Sequence, residues 1–163
     1  MEPALTGWSE FNVAVAGAGA ALAGLLIVAM SVNIREILQA PTLPARAASS
    51  IAALVFGVAA ACLALIPGQP LPLLGVEIAA GSALLWVFEA FATRAIVREP
   101  GQEASSRVMK IAVGVLPALL FSVGGVLLLA GRAEGYAWVA AASVIAIVAA
   151  VLFSWVALVE ILR

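Results

Sequence analysis

Two acids stand inside long apolar stretches of this chain, Glu89 and Glu77. Glu89 sits in the segment WVFEAFATR, from Trp86 to Arg94. At helical spacing Ser82 lies one heptad before it, Thr93 four residues after it, and Trp86 one turn away. A carboxyl flanked by hydroxyls on one helix face has three uses. It can lock a neighbouring helix, by accepting hydrogen bonds or by pairing with an arginine such as Arg35 or Arg163. It can line a cation or proton site in a vestibule. It can also reach out to nearby headgroups. A charge at the centre of a bilayer costs about 2.5–3.5 kcal/mol on insertion scales, and less near an edge. With Arg94 marking the interface, Glu89 is expected about five residues, roughly 7 Å, inside it, facing protein rather than lipid. Glu77 is turned by about 120° around the same axis, so the two acids do not form one stripe.

Other chemistry is poorly supplied. The chain has no histidine and no aspartate. That removes the Ser-His nucleophile, the paired-aspartate protease, the His-Glu-x-x-His zinc site and the usual haem ligand. The glycines of GAGAALAG (Gly17–Gly24) lie inside an apolar run with no preceding strand, so they do not form a phosphate cradle. The single cysteine, Cys62, has no internal disulfide partner and reads as a small packing residue. No catalytic, cofactor-binding or metal-binding set is expected, and the chain does not read as an enzyme.

The elements that hold these residues follow from composition. Of 163 residues, 65% are hydrophobic and 10% charged, and the mean hydropathy is +1.19. Soluble domains carry about 25% charged residues. The chain therefore reads as an all-α membrane protein, a single domain over residues 1–163. About 20 apolar residues are needed per span. Five spans are expected: Phe11–Val32, Ala47–Ile66, Leu73–Thr93, Lys110–Ala130 and Tyr136–Glu160. The cluster PGQPLP (Pro67–Pro72) cuts the second from the third, because proline cannot continue a helix. The segments Asn33–Arg46 and Arg94–Arg107 read as loops.

Basic residues set the orientation. Of the eight, Arg35, Arg46, Arg94, Arg98, Arg107, Lys110 and Arg163 fall on one side of a five-span chain, and Arg132 alone falls on the other. Basic flanks stay cytoplasmic. The N-terminus is expected outside and the C-terminus inside a bacterial cytoplasmic membrane. The N-terminal stretch lacks a basic region, so the first span is expected to be retained. Trp8, Phe11, Tyr136 and Trp138 should lie near the outer interface.

Small residues mark contacts. Gly17, Ala20, Ala21 and Gly24 form one smooth face on the first span, expected to pack against the other spans or against a second subunit. Pro117 and the pair Gly124-Gly125 mark a kink or hinge in the fourth span. The segments WVFEAFATR and WVALVEILR both carry Trp-Val, a glutamate and a terminal arginine. The chain can therefore be read as one span followed by two hairpins of parallel sense, although shared membrane composition explains the likeness better.

The segments GWSEFNVAVAGAGAALAGLLIVAMSVNI (Gly7–Ile34), LPARA (Leu43–Ala47) and LIPGQP (Leu65–Pro70) resemble a group of small, mostly actinobacterial membrane proteins usually labelled modulators of the FtsH protease. The resemblance implies a regulatory protein acting on a membrane protease. A shorter likeness, of Ala21–Asn33 to the pore helix of Orai calcium channels, reflects shared small residues, since that helix runs outward and the first span here should run inward. Two functions are expected. The first is a non-enzymatic accessory subunit working through helix–helix contacts. The alternative is a homo-oligomeric ion channel or small-solute transporter, for which Glu89, Glu77, Asn12, Ser31, Asn33, Ser82 and Ser122 supply polar groups. The expected partners are the bilayer and either further copies of the chain or another membrane protein, with no role for nucleic acid.

Overall fold

The computed structural model describes residues 3–101 and 103–161, with side chains from Leu5 to Trp155 other than Gln102. The C-terminal part of WVALVEILR, including Glu160 and Arg163, therefore has no described side chains. In lipid each backbone N–H and C=O needs a partner inside its own segment, and Ala- and Leu-rich runs meet that need as helices. The described elements are a 3-10 turn Pro3–Trp8 and the helices α1 (Ser9–Val32), α2 (Ile34–Gln39), α3 (Leu43–Ala64), α4 (Leu71–Arg98), α5 (Ala104–Leu129) and α6 (Gly135–Ile161). Five helices are long and apolar enough to cross a membrane, and no strand occurs among the described residues.

The expected boundaries need correction at the basic end. α4 runs past Thr93 to Arg98, α5 starts at Ala104 rather than Lys110, and α3 starts at Leu43 rather than Ala47. A charged residue ends an apolar run without ending a helix. Arginine is a good helix former, and Arg98 in the last turn of α4 suits the helix dipole. Pro44 fits the first turn of α3, where its missing N–H has no partner to lose. The segment Asn33–Arg46 is not all loop. It contains α2, which buries Ile37.

Helices α3, α4, α5 and α6 pack in cyclic order as an up-down-up-down ring, and α1 lies outside the ring against α3. The prolines cut the chain where expected, between Ala64 and Leu71. Gly68 (φ 71°) and Gly131 (φ 73°) let the two tight connections at that end turn back through left-handed backbone. The ring is filled by Leu74, Ile78, Leu85, Phe121 and Leu128. Phe56 of α3 lies over Gly81 of α4 and meets Phe121 edge-on at 4.6 Å. Tyr136 is buried. Its hydroxyl donates to Asn12 Oδ1 at 2.6 Å and ties α6 to α1, with Trp8 edge-on to its ring at 5.4 Å. Trp138 is exposed.

The smooth face of α1 does not pack within the chain. α1 presents Asn12, Val15, Gly19, Ala23 and Leu26 to the bundle. A Cβ at Gly19 would meet Val58 Cγ2 at 2.6 Å, so it is Gly19 that lets α1 approach α3. Gly17, Ala20, Ala21 and Gly24 are exposed on roughly the opposite side, and nothing lies within 4 Å of a Cβ at either glycine. Other glycines of the ring are close-packed. Gly124 and Gly125, read as a hinge with Pro117, are buried in an unbroken α5. A Cβ at Gly124 would meet Val139 Cγ2 of α6 at 2.7 Å, and one at Gly125 would meet Ala79 N of α4 at 3.0 Å.

Candidate functional site

A cleft of about 410 Å³ opens between α3, α4, α5 and α6 at the end of the bundle that carries most of the basic residues. Small residues open it. Ala53 and Ala92 face it from α3 and α4, Gly114 and Pro117 from α5, and Ala146 and Ala149 from α6. Nearer the turn between α3 and α4, the same ring is closed by Leu85 and Phe121.

Glu89 stands in this cleft and is buried, on the inward face of α4 with Ser82, Leu85, Ala92 and Ile96. Nine residues of helix separate it from Arg98, or roughly 14 Å at 1.5 Å per residue. Ser49 Oγ of α3 donates a hydrogen bond to Glu89 Oε1. The interhelical partner is therefore a serine rather than Arg35, which is exposed on α2. Arg163 lies outside the described residues. On the α5 side the carboxyl rests against Gly114, where a Cβ would fall 2.6 Å from Oε2. Glycine at 114 is what lets the carboxyl fit between the helices.

The other sequence candidates disperse. Thr93 lines the cleft with Glu89. Ser82 turns its hydroxyl onto Ala79 O of its own helix at 2.9 Å. Glu77 accepts from Gln69 Nε2 in the turn between α3 and α4, at the far end of α4. Ser31 and Asn33 bond carbonyls of α1, at 2.8 Å and 3.0 Å. Ser122 accepts from Trp86 Nε1 at 3.0 Å and donates to Ala118 O at 2.8 Å. Apart from Thr93, none of these residues lines the cleft.

The sequence reading misses the groups that surround Glu89. Ser49 and Ser50 line the cleft from α3, Arg46 and Lys110 stand in its wall, and Gly114 makes the room. The guanidinium of Arg46 lies 5.5 Å from the centre of the Phe153 ring. One signal was available. Ser49-Ser50 is a doublet of hydroxyls in a span otherwise made of apolar residues, past its first charged turn.

The fold and the cleft define a class: an all-helical protein with five membrane-span-like helices, a four-helix ring and one peripheral helix. No family model, no curated protein and no solved structure matches the chain.

Proposed function

We propose that the protein is a non-enzymatic accessory or regulatory subunit of the bacterial cytoplasmic membrane that works through helix–helix contacts. The observation that carries this reading is the free face of α1. Gly17, Ala20, Ala21 and Gly24 look away from the bundle with open space around both glycines. In lipid, helices associate through close backbone approach at small residues. Such a face accepts another helix, from a second copy or from a different membrane protein. The resemblance to FtsH modulators makes a membrane protease the first partner to test, by co-purification.

Gly17→Leu and Gly24→Leu are the direct test. No atom lies within 4 Å of a Cβ at either position, so each variant should keep the wild-type melting temperature. Each should shrink the complex extracted from native membranes by a mild detergent, read as mass by light scattering. A wild-type complex mass in both variants would remove α1 as the contact surface.

The orientation in this proposal is N-terminus outside and C-terminus inside, from the seven-to-one split of basic residues. A fluorescent protein fused after Arg163 should glow, and an alkaline phosphatase fused there should be inactive. Active phosphatase at that position would reverse the topology.

A second reading, passage of a small solute or ion, has the cleft at Glu89 in its favour. Leu85 and Phe121 fill the ring beyond it. In a single copy the cleft is a vestibule and not a channel, and binding is the simpler use.

A further inference from the structure

Serine hydroxyls in the membrane-span helices of this protein mostly turn back onto their own helix. Ser122, Ser143 and Ser154 each bond the carbonyl four residues before, as does Ser31. Ser49 and Ser50 do not follow that habit. Ser49 gives its hydrogen to Glu89, and Ser50 Oγ is buried with no hydrogen-bond partner. Both residues line the cleft. One small volume thus gathers a carboxyl and two hydroxyls. All can accept a hydrogen bond, and they are set in apolar walls.

We propose that this cleft binds an amphiphilic amine, with the ammonium group on Glu89 and the apolar body along the wall formed by Met109, Val113 and Leu152. A volume of about 410 Å³ falls within the ordinary range of small-ligand sites, about 300–1,000 Å³, which combine apolar walls with a few convergent polar groups. The acceptor set suits the N–H donors of an ammonium. It is too sparse for a bare divalent metal ion, which takes about six oxygens. An anionic amphiphile fits less well, because its apolar tail would have to lie across the carboxyl.

The basic residues of the wall define the route in. Arg46 precedes Ser49 by one helical turn and Lys110 precedes Gly114 by one turn, so both stand between Glu89 and the basic end of the bundle. Two positive groups there disfavour a small cation arriving from water. The lipid side is open instead. Met109 and Leu152, from α5 and α6, are 67% and 52% exposed, and an amine dissolved in the adjacent leaflet meets the cleft between them. The site does not depend on the role given to α1, which contributes no residue to the cleft.

The test uses full-length protein in phosphatidylcholine nanodiscs, titrated with decylamine, decanol and decanoate, with melting temperature as the readout. Decylamine should raise the melting temperature saturably, and the other two should not. Glu89→Gln should weaken decylamine at least about tenfold, since it removes the charge that faces the ammonium. Ala149→Phe adds a ring to the cleft from α6 and leaves Glu89 in place. It should keep the ligand-free melting temperature and lose the decylamine shift. Equal decylamine affinity in wild type and Glu89→Gln would overturn the proposal. So would tighter binding of decanoate, which would assign the cleft to an anionic headgroup held by Arg46 and Lys110. If Glu89→Gln does not fold, Ala149→Phe decides, and an unchanged decylamine affinity in that variant overturns the proposal.

Discussion

Gly75→Ala is expected to destabilise the bundle by about 3 kcal/mol, the upper end of the usual cost of overpacking. The added methyl would stand 2.7 Å from the carbonyl carbon of Leu128 and 2.8 Å from Leu129 Cα, and closer still to the backbone nitrogen of Leu129. These are main-chain atoms of α5, so no side chain can rotate out of the way. The contact is reciprocal. Gly75 presses on Leu129, while Gly125 presses on Ala79 one turn along. Gly75 and Ala79, four apart on α4, and Gly125 on α5 bring the two backbones together, the close approach at small residues that holds helices in lipid. The matched control is Gly17→Ala, where nothing lies within 4 Å of the new methyl. There, alanine's better helix propensity, worth up to about 1 kcal/mol, should leave stability unchanged or slightly raised. Thermal unfolding of both variants in the same detergent gives the comparison. A Gly75→Ala protein that melts with the wild type would show that α4 and α5 are not locked there.

That contrast marks how far sequence reading reaches in a membrane protein. The five apolar runs and the proline cut at Pro67–Pro72 are legible because lipid imposes one requirement on length and one on backbone pairing. Helix ends are less legible. α4 continues five residues beyond Thr93 because the solvation of Arg94 and Arg98 ends the apolar stretch while the backbone pattern persists. Which small residues make contact is not legible at all from density. Gly17, Ala20, Ala21 and Gly24 form the denser cluster, yet the ring is closed by the sparser pairs Gly75-Ala79 and Gly124-Gly125. A helix in lipid has no polar outer face to betray its orientation, so a smooth stripe facing inward and one facing outward read alike. The site divides the same way. Glu89 is visible because an acid in an apolar run is rare. Ser49 and Ser50 show in the sequence only as a hydroxyl doublet in an apolar span, and their meeting with Glu89 and Gly114 becomes visible only when three helices are brought together.

The second large effect concerns Ser49. Ser49→Ala removes the hydroxyl that reaches Glu89 from α3 and leaves a buried carboxyl without that partner. The expected cost is about 1–2 kcal/mol, above the average of about 0.6 kcal/mol for interhelical hydrogen bonds in membranes, because an orphaned buried polar group carries its desolvation penalty alone. Glu89→Leu should cost less. It removes the expensive group itself, and Ser49 can then turn onto the carbonyl of Ala45 four residues back, as Ser122, Ser143 and Ser154 do onto theirs. The double variant Ser49→Ala/Glu89→Leu should lie near the wild type, so the single costs should not add. This ordering separates two reasons for placing an acid at this depth. If Glu89 is a structural lock between α3 and α4, Glu89→Leu will be the most damaging of the three and the double variant will do no better. If the acid is kept for what it binds, Glu89→Leu will fold as well as the wild type or better while losing the decylamine response. A buried group whose removal leaves stability intact and abolishes ligand binding is held in the membrane at a cost to the fold, and the ligand is then the reason for its presence.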